Sequence, residues 1–242
     1  MNKQAKILAT LDVLRKEIQG GGTLEIGTPF GMLVAVILSA RTKDEQVLKL
    51  LPGLFKKYRA PETMAKASVD DIAKRINSIG MYKQKAKNLK AMAQRLVDEF
   101  DGEVPRTLEE LISLSGVGRK TASVILVGAF GKSAIAVDTH VFRIVHRLGW
   151  VTAKTPEEME KKLLGDVPKA RQKDINHTFV QFGRSICVPG KPRCWACPIA
   201  EYCDFKNKNL ERPKDSDEIL KKANETAERL VKLKNDVCYI LQ

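Results

Sequence analysis

Residues 111–126 read Leu-Ile-Ser-Leu-Ser-Gly-Val-Gly-Arg-Lys-Thr-Ala-Ser-Val-Ile-Leu, a pattern that predicts a helix, a tight turn and a second helix. The turn is Gly116-Val117-Gly118, where glycine reaches positive φ without a Cβ penalty and lets another backbone come close. The second helix then begins near Arg119, so its unpaired N–H groups and the positive end of its dipole face outward. A helix start of this kind binds anions, and a DNA phosphate suits it.

Lys120 lies at the positive end of this second helix, directly after Arg119. The positive end of the helix and the charge of Arg119 both disfavour the protonated amine, and the neutral amine is the nucleophilic form. A phosphate-binding turn beside an activated amine indicates chemistry on a nucleic-acid backbone. The alternative is a solvated lysine after an ordinary glycine turn between two helices.

The composition favours a partner that is a polyanion. The chain has 242 residues, of which 42 are Lys or Arg and 29 are Asp or Glu, which gives a formal net charge of +13. Such a surplus is typical of nucleic-acid binders, although a merely basic soluble protein remains the alternative. No apolar run approaches the ~18 residues of a transmembrane helix, and the N-terminus has no signal-peptide hydrophobic region. We therefore expect a cytoplasmic protein without membrane contact, in a cell without a nucleus.

Helical periodicity runs through most of the chain and period-2 alternation is almost absent, which predicts an all-α fold. Residues 30–38 are apolar on nearly every side, as in a buried central helix, although their number also suits a buried strand. Continuation of the pattern through Leu51 favours the helix. Other helices are predicted at about 4–18, 62–67, 69–78, 83–99, 107–114 and 216–234. Thr107 and Thr155 mark helix starts, each with a glutamate three residues later.

Four of the five cysteines lie close together as Cys187, Cys194, Cys197 and Cys203, with the spacing C-x6-C-x2-C-x5-C. So short a segment cannot build its own hydrophobic core, and disulfides are disfavoured in a reducing cytoplasm. Four thiolates then predict a metal centre, either Zn²⁺ or an iron–sulfur cluster. Structural zinc usually takes two C-x2-C pairs, whereas here there is one pair and wider gaps. The spacing therefore favours [4Fe–4S], with zinc as the alternative.

Two loops carry further candidates for DNA contact. Lys191 and Arg193 lie between the first two cysteines, where a metal-pinned loop would present them rigidly to phosphate; ordinary solvated charges are the alternative. The stretch around Met81, Ile-Gly-Met-Tyr-Lys-Gln-Lys-Ala, weakly echoes the first glycine turn, since both place glycine between an apolar helix end and a basic helix start.

Asp138 follows a short apolar stretch and precedes a helix in Ser133-Ala-Ile-Ala-Val-Asp-Thr-His-Val-Phe-Arg143. The commonest role of an aspartate at such a position is to cap the helix. The alternative is chemical: eighteen residues after Lys120, Asp138 is placed to face that amine across one helix and a return.

Three motifs, in this order, resemble the endonuclease III DNA glycosylases of the helix–hairpin–helix superfamily. They are Leu114-Ser-Gly-Val-Gly-Arg-Lys-Thr-Ala122, Ala136-Val-Asp-Thr-His-Val-Phe-Arg143 and the four cysteines, and the likeness covers about residues 1–206. The resemblance implies two helical domains flanking a DNA-binding cleft. A six-helix domain at 24–132 would carry the hairpin, a cluster domain would comprise 1–23 and 133–206, and a charged helical tail would follow at 207–242.

The resemblance also implies a base-excision-repair glycosylase with AP lyase activity that acts as a monomer on duplex DNA in the nucleoid. It would remove oxidised pyrimidines and cut 3′ to the abasic site by β-elimination. Carried over by position, Lys120 is the nucleophile, Asp138 the assisting carboxylate, and the four cysteines the ligands of a structural [4Fe–4S] cluster. The residues expected to contact DNA, including the two basic residues of the cysteine loop, are Gly116, Val117, Gly118, Arg119, Arg41, Met81, Lys191 and Arg193.

Two positions depart from the family pattern, and rival functions remain. Arg41 stands where the family usually has the glutamine that fills the gap left by the flipped base, and Met81 where it usually has a leucine wedge. A sister glycosylase for mismatched thymine or adenine would share the fold, although such enzymes often lack the lysine. A non-catalytic DNA-binding module would not need Lys120 with Asp138. An iron–sulfur electron carrier would have no obvious use for the glycine hairpin.

Overall fold

The structure, a computed structural model, describes residues 2–18 and 26–241. All regular secondary structure in these residues is helical. This confirms the all-α class. In chain order the α-helices are α1 (Lys3–Glu17), α2 (Pro29–Ser39), α3 (Asp44–Phe55), α4 (Pro61–Ala65), α5 (Val69–Arg75), α6 (Tyr82–Phe100), α7 (Leu108–Ser113), α8 (Arg119–Gly128), α9 (Thr139–Leu148), α10 (Pro156–Asp166), α11 (Lys169–Ser185) and α12 (Ser216–Leu241). Short 3₁₀ turns lie at Cys194–Ala196 and Ala200–Tyr202.

The chain divides into two compact units. The first, called here the cluster unit, comprises Met1–Gly22 and Ser133–Glu228; the second, the hairpin unit, comprises Thr23–Lys132 and Arg229–Gln242. Of the predicted tail at 207–242, Ser216–Leu241 form one long helix, α12, whose beginning is grouped with the cluster unit and whose end is grouped with the hairpin unit.

Helix α2 is the centre of the hairpin unit. Every residue from Phe30 to Leu38 is buried, and the helix packs against α3, α6 and α8. A helix that is apolar all round has no solvent face to offer, so it is surrounded by other helices. This settles the choice between helix and strand. The apolar pattern beyond it does not continue the same helix, because the chain leaves α2 at Ala40 and begins α3 at Asp44.

The core of the cluster unit is built by α1, α9 and α11, with α11 packed against both of the others. Ile7, Leu11 and Leu14 of α1 are buried in it. The rings of Trp150 and Phe179 meet at a centroid distance of 5.4 Å in a tilted arrangement, which adds to the burial of two large side chains.

The predicted helix starts are present. The Thr107 hydroxyl accepts from the Glu110 N–H at 3.3 Å, and the Thr155 hydroxyl accepts from the Glu158 N–H at 3.2 Å. Each threonine thereby satisfies one of the N–H groups that a helix start leaves without a partner. Of the helices that the structure describes, none combines the length and apolar content that a membrane crossing requires.

The end of α12 that is grouped with the hairpin unit is held there by an ion pair. Arg229 of α12 donates to Glu45 of α3 at 2.9 Å, and the side chain of Val237 is fully buried. Glu45 also pairs with Lys49, and these contacts hold the pKa of its carboxyl below the ordinary value, with the Lys49 hydrogen bond as the largest cause.

Candidate functional site

The glycine turn joins α7 to α8 as predicted, and its two glycines serve different ends. Gly116 has φ +81°, a region that suits glycine, and a Cβ there would lie only 2.9 Å from Nδ2 of Asn88. Gly118 has φ −94°, and a Cβ there would meet no atom within 4 Å. Gly116 is therefore required by the protein's own packing, whereas Gly118 leaves open space for an external group.

The N-terminus of α8 has the form of an anion site. Its first internal hydrogen bond runs from the Ala122 N–H to the Gly118 carbonyl at 2.9 Å, so the N–H groups before Ala122 have no partner within the helix. No side chain caps this helix from Gly118. Arg119 and Lys120 are both exposed there. The arrangement suits a phosphate oxygen approaching along the helix axis.

Val117 lies differently from the neighbouring residues of the turn. Its side chain is 6% exposed, and its N–H donates to the Leu114 carbonyl at 3.1 Å. The side chain of Val117 therefore anchors the turn in the core, and the DNA contact expected of this residue stays a prediction.

Arg41 and Met81, the two positions that depart from the family pattern, both lie in the hairpin unit and both have left-handed backbone conformations. Arg41 has φ 54° between α2 and α3, and Met81 has φ 58° as the N-cap residue of α6. Arg41 is exposed, and Met81 is 57% exposed. A large apolar side chain held this way at the surface is unusual, and unfavourable backbone conformations concentrate at functional sites.

Asp138 is the N-cap of α9. Its Oδ1 accepts from the N–H groups of His140 and Val141 at 2.8 and 2.9 Å. The capping interpretation of this residue is therefore confirmed. The carboxylate is half-buried and belongs to the cluster unit, whereas Lys120 belongs to the hairpin unit.

Helix α9 also holds the cysteine segment, through two arginines that the sequence analysis did not single out. Arg143 donates to the Cys187 carbonyl through Nε at 3.1 Å and through Nη2 at 2.9 Å. Arg147 donates to Cys187 Sγ at 3.3 Å, and Cys203 Sγ donates to the Arg147 carbonyl at 3.3 Å. In the sequence, the only local sign of this role is that the two arginines lie one helical turn apart, in the motif that contains Asp138 or just after it.

The four clustered cysteines line one pocket. Its other walls are mainly apolar and come from Ile144, Arg147, Leu148, Phe182, Ile186, Pro192, Ile199 and Phe205. Burial raises the pKa of the Cys197 thiol to about 12 and also raises that of Cys203. Thiols in such surroundings become thiolates only beside a strong positive charge, which an iron–sulfur cluster supplies. The donor set therefore fits a four-thiolate cluster.

Among the residues that the structure describes, no three His, Cys, Asp or Glu side chains are arranged to hold a single metal ion. The structure instead shows a common pocket that is lined by all four clustered cysteines.

The two basic residues of the cysteine loop lie in different surroundings. Lys191 is exposed. Arg193 is half-buried: its guanidinium donates to the Ser185 carbonyl at the end of α11, and its backbone N–H donates to the Ile186 carbonyl at 2.9 Å. Arg193 therefore pins the loop to α11, and Lys191 is the one of the pair that points its charge to solvent.

Comparison with known families agrees with both motifs. The model of the HhH-GPD superfamily of base excision DNA repair proteins matches residues 34–169, and that of the iron–sulfur binding domain of endonuclease III matches residues 187–203. The latter match begins at the first of the clustered cysteines and ends at the last.

Individual proteins and solved structures are similar over most of the chain. Endonuclease III of Escherichia coli is 40% identical over 86% of this chain and 99% of its own length, and that of Thermotoga maritima is 46% identical over 73% and 83%. A trapped endonuclease III–DNA covalent intermediate superposes with a TM-score of 0.78 at 39% identity, covering 84% of this chain and 97% of the other. A thermostable thymine-DNA glycosylase gives 0.76 at 27% identity over 84% and 96%.

Proposed function

The chain belongs to the endonuclease III family of helix–hairpin–helix base excision repair glycosylases, and we propose that it removes oxidised pyrimidines from duplex DNA and then cuts the strand. Its partners in this role are duplexes that contain a damaged pyrimidine or an abasic site. We propose that it acts as a monomer in the cytoplasm, on the DNA of the nucleoid. The family membership and the surplus of basic residues support this, since a net charge of +13 favours a polyanionic partner.

The observation that carries the proposal is the exposed Lys120 in the first turn of α8. Gly118, Arg119 and the first N–H groups of this helix would hold a DNA phosphate, which brings the sugar of a flipped-out nucleotide to the lysine. A duplex keeps the glycosidic bond out of reach within the stack, so the damaged nucleotide has to leave it first.

The proposed reaction has two bond-breaking stages. The neutral Lys120 amine attacks C1′ of the sugar, a C–N bond forms, and the damaged base leaves with the electrons of the glycosidic bond. Ring opening gives a Schiff base, whose iminium makes the C2′ proton acidic. Loss of that proton then breaks the C3′–O bond by β-elimination, so the strand is cut on the 3′ side.

Asp138 is proposed to supply the carboxylate of this reaction. Its negative charge would stabilise positive charge that develops on the sugar, and it would accept the proton that the attacking amine must lose. Both capping bonds fall on the same oxygen, Oδ1, and they fix the orientation of the carboxylate at the start of α9. The four cysteines hold the [4Fe–4S] cluster, which crosslinks the segment at the other end of that helix and has no redox step in the reaction.

Arg41 and Met81 are proposed to enter the duplex beside the flipped nucleotide. Met81 presents an exposed, flexible apolar side chain, as residues that wedge between base pairs do. Arg41 would fill the space that the base leaves and bring one positive charge to the phosphates. Lys191 would add a further phosphate contact from the cysteine loop.

Borohydride trapping tests the proposal directly. The protein is incubated with a duplex that contains thymine glycol, the Schiff base is reduced, and the adduct is mapped by mass spectrometry. We expect the sugar on Lys120 and no adduct or strand cutting with Lys120→Ala. Full cutting by that variant would overturn the proposed nucleophile. Preferential action on a duplex with a thymine mismatch would favour a mismatch glycosylase, the activity named for the thermostable structural neighbour.

A further inference from the structure

Lys85, in the first turn of α6, is a buried lysine. It is 4% exposed, and desolvation lowers its pKa from the ordinary value. Its Nζ donates to the Leu38 carbonyl at 2.8 Å and to Thr42 Oγ1 at 2.6 Å. Lysines are rarely buried to this extent, so the contacts that hold the ammonium group at this place are the point of interest.

The two acceptors lie on either side of Arg41. Leu38 is in the last turn of α2, where the carbonyls have no partner within the helix and favour a cation. Thr42 follows Arg41 directly, and its own N–H donates to the Ser39 carbonyl at 2.9 Å, which closes the turn. The ammonium group of Lys85 therefore holds both ends of the Arg41 turn.

The same residue is also tied to Met81. The backbone N–H of Lys85 donates to the Met81 carbonyl at 3.0 Å, the first hydrogen bond of α6. In the described part of the chain, Arg41, Met81 and Asp101 are the non-glycine residues with positive φ. Asp101 ends α6 in the usual left-handed C-terminal position. The other two are joined through one residue, which binds one turn with its side chain and the other with its backbone.

We propose that Lys85 is a positioning residue that fixes the Arg41 turn relative to Met81, so that both side chains meet the duplex together. The inference rests on the proposed function of Arg41 and Met81 at the flipped nucleotide. Lys85 itself is buried and touches no DNA. Loss of its ammonium group leaves the Leu38 carbonyl and the Thr42 hydroxyl without their donor, and the Arg41 turn loses its fixed position while α6 and Met81 remain.

The chain offers a matched control on the same helix. Lys90 of α6 likewise donates to two acceptors on another segment, the carbonyl of Ala65 at the end of α4 and that of Ala67 just after it, at 2.8 and 2.7 Å. Lys85→Met and Lys90→Met thus remove the same kind of contact from two places on one helix. A general loss of stability would weaken DNA binding by both variants. Loss of the Arg41 position would lower the preference for the abasic duplex only in Lys85→Met.

The test measures the affinity for a duplex with a tetrahydrofuran abasic analogue and for the same duplex without it. With 2-aminopurine opposite the analogue, its fluorescence also reports insertion into the stack. We expect Lys85→Met to weaken binding to the abasic duplex by roughly 10-fold, as for loss of hydrogen bonds to a charged group, and to reduce the fluorescence change. Its affinity for the undamaged duplex should stay within about twofold. Lys90→Met should leave the preference for the abasic duplex unchanged.

A double-mutant cycle separates positioning from other effects. In the Arg41→Ala/Met81→Ala background, Lys85→Met should have no further effect on the preference for the abasic duplex. If that background binds like the unaltered protein, the proposed function of Arg41 and Met81 is wrong. If the background binds weakly but Lys85→Met is fully additive or without effect in the unaltered protein, the positioning role is wrong. Thr42→Val removes one acceptor only and gives a milder variant for the same cycle, should Lys85→Met not fold.

Discussion

Asn88 of α6 lies directly against Gly116, with its Nδ2 only 2.9 Å from the point that a Cβ on Gly116 would occupy. The Ser115 hydroxyl also donates to Asn88 Oδ1, at 3.4 Å. The glycine turn is therefore packed on the same helix that carries Met81 and Lys85. The glycine turn, Met81 and the Arg41 turn, all with proposed DNA contacts, therefore depend on α6 for their positions.

Gly116→Ala should destabilise the protein, because it combines a contact with Asn88 and a strained positive φ. We expect a loss of roughly 1–3 kcal/mol in the free energy of unfolding, measured by urea denaturation, as for a residue forced into a left-handed conformation. Gly118→Ala is the control, since its Cβ meets nothing within the protein. It should retain stability and lose DNA affinity. Equal effects of both changes on stability would contradict this division of roles.

Asp138→Asn should separate capping from chemistry. Asparagine is a comparable N-cap, and its Oδ1 can keep the hydrogen bonds from His140 and Val141. The melting temperature and the affinity for an abasic duplex should therefore change little. Single-turnover base release should fall by about 10²-fold or more, the range for a positioned acid–base group. Near-normal turnover would leave Asp138 as a cap alone.

The purified protein should contain four iron atoms and four acid-labile sulfides per chain, because one pocket holds all four clustered cysteines. Elemental analysis and visible absorbance check this. Cys197→Ser should lower the iron content and the stability together, since it removes one of the four sulfur ligands from a pocket with mainly apolar walls. Active protein with one zinc ion and no iron would refute the cluster.

Arg41→Gln should alter the salt dependence of binding. Glutamine, the residue common in the family, keeps much of the length and removes the charge. If Arg41 neutralises one phosphate, the slope of log K against log salt concentration should become shallower by up to about one unit. Affinity for lesion DNA should fall modestly at low salt. An unchanged slope and unchanged preference for the base opposite the lesion would place Arg41 away from DNA.

The local pattern of the sequence was sufficient to predict the helices and where they begin. It was insufficient to predict the contacts that hold the helices together. The glycine turn, the cap at Asp138 and the helical state of α2 follow from spacing and residue type within one or two turns. Lys85 and Leu38 are 47 residues apart, and Arg147 and Cys187 are 40 apart. Periodicity carries no information about such partners, so the buried lysine and the arginine beside the cluster sulfur emerged only from the fold.

The same limit explains the differences at Val117 and after α2. Val117 was predicted to contact DNA together with the other residues of the turn, and spacing alone did not show that the turn directs its side chain inward, where it is 6% exposed. The apolar run from α2 towards Leu51 has one continuous pattern, yet the chain breaks it at Ala40 so that Arg41 can form a turn. A pattern of apolar residues cannot distinguish one long helix from two helices that share a core.

The contact between Arg147 and Cys203 has a consequence for synthesis of the chain on the ribosome. Arg147 precedes Cys203 by 56 residues, and translation at about 5–20 residues per second separates them by roughly 3–11 s. Helix α9, with Asp138 at its start, is thus made before any of the cysteines that fasten its far end. The cluster can therefore crosslink the segment at the far end of α9 only after Cys203 has been made.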